Sequence, residues 1–305
     1  MLVIDSLMAH ARRGRFIGIS NGVDFSSLNP FDDALLRRHN ATFSRALVES
    51  DPGIAPIGAA KSAARLSLIQ MGVFPASLSA TTKIILFIGR FQINKGIALC
   101  EPLLRHIFSR GDALLVLMGQ PHDFPMSDLL RMRDAGAVLL TTPEEQDRVG
   151  PLVRMSADVI FVPSQTEAFG LVAAEGLLFG ALVVSTGVGG LREFLIDRPS
   201  SVLIGAQRAK ERLDSAFNAM LFDRMEEGSM ESAVTEALEV IDEAKRAGKA
   251  DALRSRLVRS ALDLAWNRYE DSFCLFLQLT LIRPGGPLSM YSAVYSLAAK
   301  LASSS

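Results

Sequence analysis

Cysteine and histidine are scarce in this sequence: there are two cysteines, Cys100 and Cys274, and four histidines. That usage excludes a disulfide scaffold, argues against a Cys/His metal site and suits a reducing compartment. Charge of one sign is also lacking, since 32 Lys and Arg stand against 33 Asp and Glu for a formal net charge of -1. Such a balance argues against a polyanion-binding surface and an acidic tail, so no nucleic-acid partner is expected. No run approaches the ~20 apolar residues of a membrane span. Ser272–Ile282 is apolar but too short and reads as a buried or docking helix. Met1–Arg13 has no apolar core of signal-peptide length, and its arginines follow the apolar stretch rather than precede it. The expectation is a chain without secretory signal or transit peptide, placed in the cytoplasm, or in a plastid if the source is a plant. Internal repeats and long low-complexity segments are missing too.

What is present is an apolar fraction of 49% over 305 residues, enough to bury a sizeable core. Short runs rich in Val, Ile and Leu recur at Arg15–Ser20, Lys83–Gly89, Ala113–Gly119, Ala137–Thr141, Asp158–Pro163 and Ala181–Thr186. Runs apolar on both faces suit parallel strands covered on both sides. Helical patterns follow them at Ala59–Met71, Lys95–Ser109, Ser127–Asp134, Pro143–Ser156, Leu171–Phe179 and Leu191–Ile196. The alternation predicts an α/β fold with a Rossmann-like, doubly wound parallel sheet and a crevice at the strands' carboxyl ends. After about residue 205 the strand runs stop, and helices are predicted over Ala206–Met220, Met230–Ala247 and Asp251–Leu281 before the Pro284–Pro287 breaker. The expected organisation is therefore residues 1–30 as the end of a hinge and a first strand, 31–82 as surface loop and helix, 83–205 as the Rossmann-like core, 206–282 as C-terminal helices and 283–305 as a flexible tail.

Four turns carry chemistry. In Phe87–Gly96, Arg90 and Lys95 follow a strand and can neutralise a diphosphate, the first with a planar fork and the second with a point charge, although the spacing alone fits ordinary surface charges as well. In Pro163–Glu175, a strand stops at Pro163 and a helix starts at Gly170, so the backbone N–H groups around Phe169, Gly170 and Leu171 can form an anion site. Glu167 precedes that helix, where it can accept from sugar hydroxyls or stand as a solvated loop charge. Glu175 lies inside an otherwise apolar helix and needs donors, which a ribose diol supplies unless its face is exposed. In Ser185–Glu193, three glycines, Gly187, Gly189 and Gly190, permit close approach to a phosphate or make a plain tight turn. Gly18–Asp24, with Asn21-Gly22, reads on its own as a turn. Neither a GxGxxG nor a P-loop pattern is present.

Together and in this order the segments resemble the two-domain GT-B retaining glycosyltransferases, nearest to the starch/glycogen synthases (glycosyltransferase family 5) and fungal α-glucan synthases. Arg12–Pro30 resembles their Arg…Gly-Ile-x-Asn-Gly-Ile/Val-Asp…Asn-Pro segment, and Gly89–Gly96 their Gly/Ser-Arg-x4-Lys-Gly loop. Pro163–Leu171 resembles Pro-Ser-x2-Glu-x2-Gly-Leu, Glu167 to Glu175 the broader Glu-x7-Glu pattern, and Gly187–Leu191 the Thr-Gly-Gly-Leu loop. Trp266–Tyr269 resembles the start of the terminal helix, and the likeness covers residues 10–275. The resemblance implies that Arg90 and Lys95 bind the donor diphosphate and steady the departing nucleotide. Glu167 then holds hydroxyls of the transferred glucose, Asn21 contacts the glucose, and Glu175 holds the ribose. The N–H groups from Phe169 to Leu171 contact glucose and phosphate, while Gly189 and Gly190 line the phosphate side. It implies ADP-glucose or UDP-glucose as donor, an α-glucan as acceptor, retention of configuration, and no metal or other cofactor.

Three departures stand out. Ala168-Phe169 replaces the family's Pro-Cys or Pro-Phe, and no aromatic residue stands near Thr141–Glu145, where the family stacks its base. The N-terminal GT-B domain, which embraces donor and acceptor, has no counterpart in the sequence, so the expected partner is such a domain on another chain or in a longer product. Two further readings stay open: a non-catalytic nucleotide- or glucan-binding, regulatory homologue, and a GT-B transferase with a different acceptor. His10 and His39 read as loop or surface residues.

Overall fold

The computed structural model describes residues 22–25, 28–51, 53, 55–198 and 216–265, together with Arg12. The chain divides into two compact units, Val23–Leu264 and a second formed by Met1–Gly22 with Ala265–Ser305. The first holds nearly all described residues. The strand expected at 15–20, Asn21, the 266–269 segment and the tail lie outside the described residues.

Five of the apolar runs form strands: β1 (Lys83–Ile88), β2 (Ala113–Met118), β3 (Val138–Leu140), β4 (Val159–Val162) and β5 (Leu182–Ser185). A sixth, β6 (Ala219–Leu221), extends the sheet beyond residue 205, where only helices were expected. It pairs parallel to β5, Val183 opposite Ala219, and replaces the end of the helix predicted over Ala206–Met220. Three residues at a sheet edge are too few to show a period, which is why the pattern hid it. The strand order is β3-β2-β1-β4-β5-β6, and every neighbouring pair is parallel. The winding direction reverses between β1 and β4, so the helices that follow these two strands lie on opposite faces of the sheet and leave a crevice outside the strands' carboxyl ends.

Helices cover both faces, as buried parallel strands require. On one side α3 (Ile57–Gln70), α6 (Pro143–Ser156), α7 (Leu171–Leu178) and α9 (Ala250–Leu262) touch one another; on the other lie α4 (Cys100–Arg110), α5 (Met126–Asp134) and α8 (Ser229–Arg246). Among the described residues no helix is long and apolar enough to cross a membrane. The surface loop expected at the start of residues 31–82 carries two short helices, α1 (Ala34–Arg38) and α2 (Arg45–Ser50). Asp33 and Ser44 cap them, and each buries one apolar residue, Leu36 and Val48.

Beneath the sheet, away from the crevice, sits a buried charge cluster. Asp158, at the start of β4, accepts from the Ile84 N–H at 3.0 Å and from the Arg65 guanidinium. Arg65 also donates to the Ser156 carbonyl, and the fully buried Lys61 donates to the Ala157 carbonyl. Burial pushes the Asp158 carboxyl up, but Arg65, Lys61 and the Ile84 N–H outweigh it and hold the group below the usual carboxylate range. Burial also lowers Lys61 well below an ordinary lysine. The cluster pins α3 to the end of α6 and so fixes the base of the strands that carry the crevice.

Candidate functional site

The turn after β1 and the turn after β4 are joined backbone to backbone. The Gln165 N–H donates to the Asn94 carbonyl at 2.8 Å, and Gln165 Nε2 donates to the Ile93 carbonyl at 3.1 Å. Gly96, at φ +74°, lets the turns meet: a Cβ there would stand 2.0 Å from the Pro163 carbonyl oxygen. This contact brings Lys95 over Glu167, and Lys95 Nζ donates to Glu167 Oε2 at 2.8 Å. Ser164 Oγ adds a second donor to the same oxygen at 3.3 Å. The two side chains are 28% and 14% exposed, so the pair is reachable from solvent yet only partly screened by it.

The loop after β5 closes on the same carboxylate segment. The Gly190 N–H donates to the Glu167 carbonyl at 3.3 Å. A Cβ on Gly189, at φ +60°, would stand 1.9 Å from that carbonyl oxygen, and one on Gly190 would stand 2.2 Å from the Ala168 oxygen. The glycines are therefore required by loop-on-loop contact, whatever else they face. Phe169 is buried, its ring 5.2 Å from that of Phe194, so only its backbone is offered to the crevice. Gly170 caps α7 at φ +101°, and no side chain caps that helix. Among the described residues nothing accepts from the N–H groups of Phe169, Gly170 and Leu171. A row of free donors with the helix dipole behind it attracts anions.

Arg90 leaves the end of β1 exposed, and its guanidinium meets no carboxylate among the described residues. Lys95, Glu167, Phe169–Leu171, Gly189 and Gly190 thus converge at the carboxyl ends of β1, β4 and β5, with Arg90 on the β1 side. Asn21 lies outside the described residues. Glu175 is half-buried, and its Oε2 lies 3.7 Å from Arg154 Nε on α6. Burial raises the Glu175 carboxyl against the pull of Arg154, and burial lowers Arg154 in turn. No local pattern announces this partner, because α6 and α7 meet only once the sheet has formed. A carboxylate with one distant cation retains room for a hydroxyl donor.

Where the resemblance places a stacking aromatic, α6 begins with a capping box. Thr142 Oγ1 accepts from the Glu145 N–H at 3.2 Å, and Glu145 Oε2 accepts from the Thr141 and Thr142 N–H groups, both at 3.0 Å. Sequence reasoning also missed Gln92, a buried residue whose amide nitrogen sits 3.1 Å from His122 Nδ1 beside the Arg90 turn. His39, read as a loop or surface residue, follows α1, is half-buried and bonds Ser67 Oγ through Nδ1 at 2.9 Å.

Residues 74–237 match the family described as glycosyl transferases group 1. The chain is 36% identical over 135 residues to a D-inositol 3-phosphate glycosyltransferase of Xylanimonas cellulosilytica, covering 42% of this chain and 31% of that protein. It is 25% identical over 239 residues to glycogen synthase 1 of Trichormus variabilis, covering 76% of this chain and 43% of that one. The chain thus spans less than half the length of either relative. The catalytic domain of starch synthase IV from Arabidopsis thaliana, solved with ADP and acarbose, superposes with a TM-score of 0.68 at 19% identity over 92% of this chain and 51% of that one, which supports the fold. With the family's match covering the sheet, both turns and the glycine loop, this chain belongs to the glycosyl transferases group 1.

Proposed function

We propose that the chain is the sugar-nucleotide-binding half of a retaining glucosyltransferase of the starch/glycogen synthase type, using ADP-glucose or UDP-glucose and an α-glucan acceptor. The observation that carries this reading is the Lys95–Glu167 pair, held at the strand-order reversal beside three unpaired backbone donors. Breaking a glycosyl–phosphate bond builds charge on the leaving diphosphate. Fixed cations and oriented N–H groups stabilise that charge without reorganising. In this reading Arg90 and Lys95 take the diphosphate, the donors of Phe169, Gly170 and Leu171 take phosphate and sugar oxygens, and Gly189 and Gly190 line the phosphate side. Glu167, released by Lys95 in part, accepts from glucose hydroxyls, and Glu175 accepts from the ribose. Asn21 contacts the glucose. A second GT-B domain, on a longer product or a separate chain, supplies the opposite wall that orients the acceptor and excludes water.

Calorimetry of the full chain with ADP, ADP-glucose and UDP-glucose tests the reading. Arg90→Ala and Lys95→Ala are each expected to weaken diphosphate binding by about 1–3 kcal/mol, the scale of a charged hydrogen bond. Unchanged affinity in both variants removes the two residues from the site. Absence of heat with all three nucleotides at millimolar concentration sinks the donor reading and favours a non-catalytic homologue.

A further inference from the structure

A second cleft opens between the Thr186–Arg192 loop and the end of β6 with the turn that follows it, Leu221–Met225. Its volume is about 500 Å³, within the roughly 300–1,000 Å³ of small-ligand sites. Gln165 lines it too, two residues before Glu167, so one loop wall separates this cleft from the proposed donor crevice. The polar lining offers both kinds of partner. Arg192 Nε is committed to the Gly187 carbonyl at 2.8 Å, which fixes the guanidinium and leaves its terminal nitrogens over. Arg224 has no partner among the described residues. Gln165 spends its amide nitrogen on Ile93 and keeps its oxygen, and Asp223 uses Oδ1 for the Met225 N–H at 2.8 Å and keeps Oδ2. The apolar lining is a rigid wall and a free flank: Phe222 is buried and stacked on Phe161 at 6.0 Å, whereas Met225 is 92% exposed.

Two arginines alone would suit an anion, but the local charge opposes it. Asp223 faces the same cleft, Glu193 follows Arg192, and Glu226 and Glu227 follow Met225. Guanidinium forks, a carboxylate and an amide oxygen beside apolar surface are matched instead by vicinal hydroxyls, which donate and accept at once, on a ring with C–H faces. We propose that this cleft is a subsite for a neutral oligosaccharide and holds the acceptor chain next to the transferred sugar. The proposal rests on the reading that the Lys95–Glu167 crevice holds the donor.

The test is saturation-transfer NMR and titration of the full chain with maltoheptaose, with ADP and inorganic phosphate as separate probes. Arg224→Ala and Met225→Ala alter exposed side chains and are expected to leave the thermal midpoint and ADP affinity unchanged. Each is expected to weaken maltoheptaose about tenfold or more, the consequence of losing a charged donor or the apolar flank. Wild-type protein that does not bind maltoheptaose, equal maltoheptaose affinity in wild type and both variants, or phosphate binding lost on Arg224→Ala while maltoheptaose is ignored, each overturns the proposal. Loss of ADP binding in the wild type fails the donor reading separately, since maltoheptaose is measured without nucleotide.

Discussion

Gly189→Ala isolates the contact on which the crevice depends. At φ +60° an alanine carries about 1–2 kcal/mol of left-handed strain. Its Cβ would also lie 1.9 Å from the Glu167 carbonyl oxygen, where Cβ contacts essentially never fall below 3.0 Å, so one backbone must retreat by at least the difference of 1.1 Å. Overpacking of this kind costs a further ~1–3 kcal/mol. The sum, about 2–5 kcal/mol, lowers the melting temperature by roughly 4–20 °C in a unit of this size. Either retreat reshapes the crevice: a shift of the Glu167 segment strains the 2.8 Å Lys95–Glu167 bond, and a shift of the Gly189 loop moves the proposed phosphate side, so ADP affinity is expected to fall as well. Gly111→Ala is the control: it has φ +70° and nothing within 4 Å of its added Cβ, so it carries the strain without the collision. Thermal unfolding and ADP calorimetry of both variants decide the matter. Equal melting temperatures and equal ADP affinities for the two variants would refute the reasoning.

Three further outcomes follow from the geometry. Asp158→Asn leaves Arg65 and Lys61 without their counter-charge and is expected to destabilise by about 3–5 kcal/mol in denaturant unfolding. The folded carboxyl is held below its ordinary value of 3.8, so its stabilisation is complete above that value and disappears as pH falls through the folded one. The gap between wild type and variant should therefore shrink on acidification below about pH 3.8; a gap that widens there contradicts the assignment. Cys100 is fully buried and its thiol is pushed up by burial, so peptide mapping should find it unlabelled by iodoacetamide in the native chain and labelled in guanidinium. Equal labelling rates in both states would place it elsewhere. Thr142→Ala removes one half of the α6 capping box and is expected to cost about 1 kcal/mol, read by the same unfolding assay; no change would mean that the cap is not formed in solution.

Much of the crevice was legible because each part is a local turn. Arg90 and Lys95 sit on one strand exit, Glu167 and Gly170 on another, and glycines mark the third, so residue type and spacing carried the information. The central strands were legible for a related reason: burial on both faces makes them continuous apolar runs. What stayed hidden depends on partners far away in sequence. Arg154 carries no local sign that it will face Glu175, and Gln92 none that it will be buried against His122. The β6 strand is defined by its pairing with β5 rather than by its own three residues. Helices α1 and α2 are too short for periodicity, and their caps, Asp33 and Ser44, are single residues in a polar stretch.

The Lys95–Glu167 bond spans 72 positions of sequence, and β1 is clasped between β2 and β4. No nascent chain that ends before β4 emerges from the ribosome can bring these two side chains together, however well its first strands have formed. Contacts of such separation are closed late, after loop entropy has been overcome. On the proposed reading, nucleotide capture therefore reports that β1 and β4 have come together, and ADP should slow unfolding while leaving the rate of early helix formation untouched.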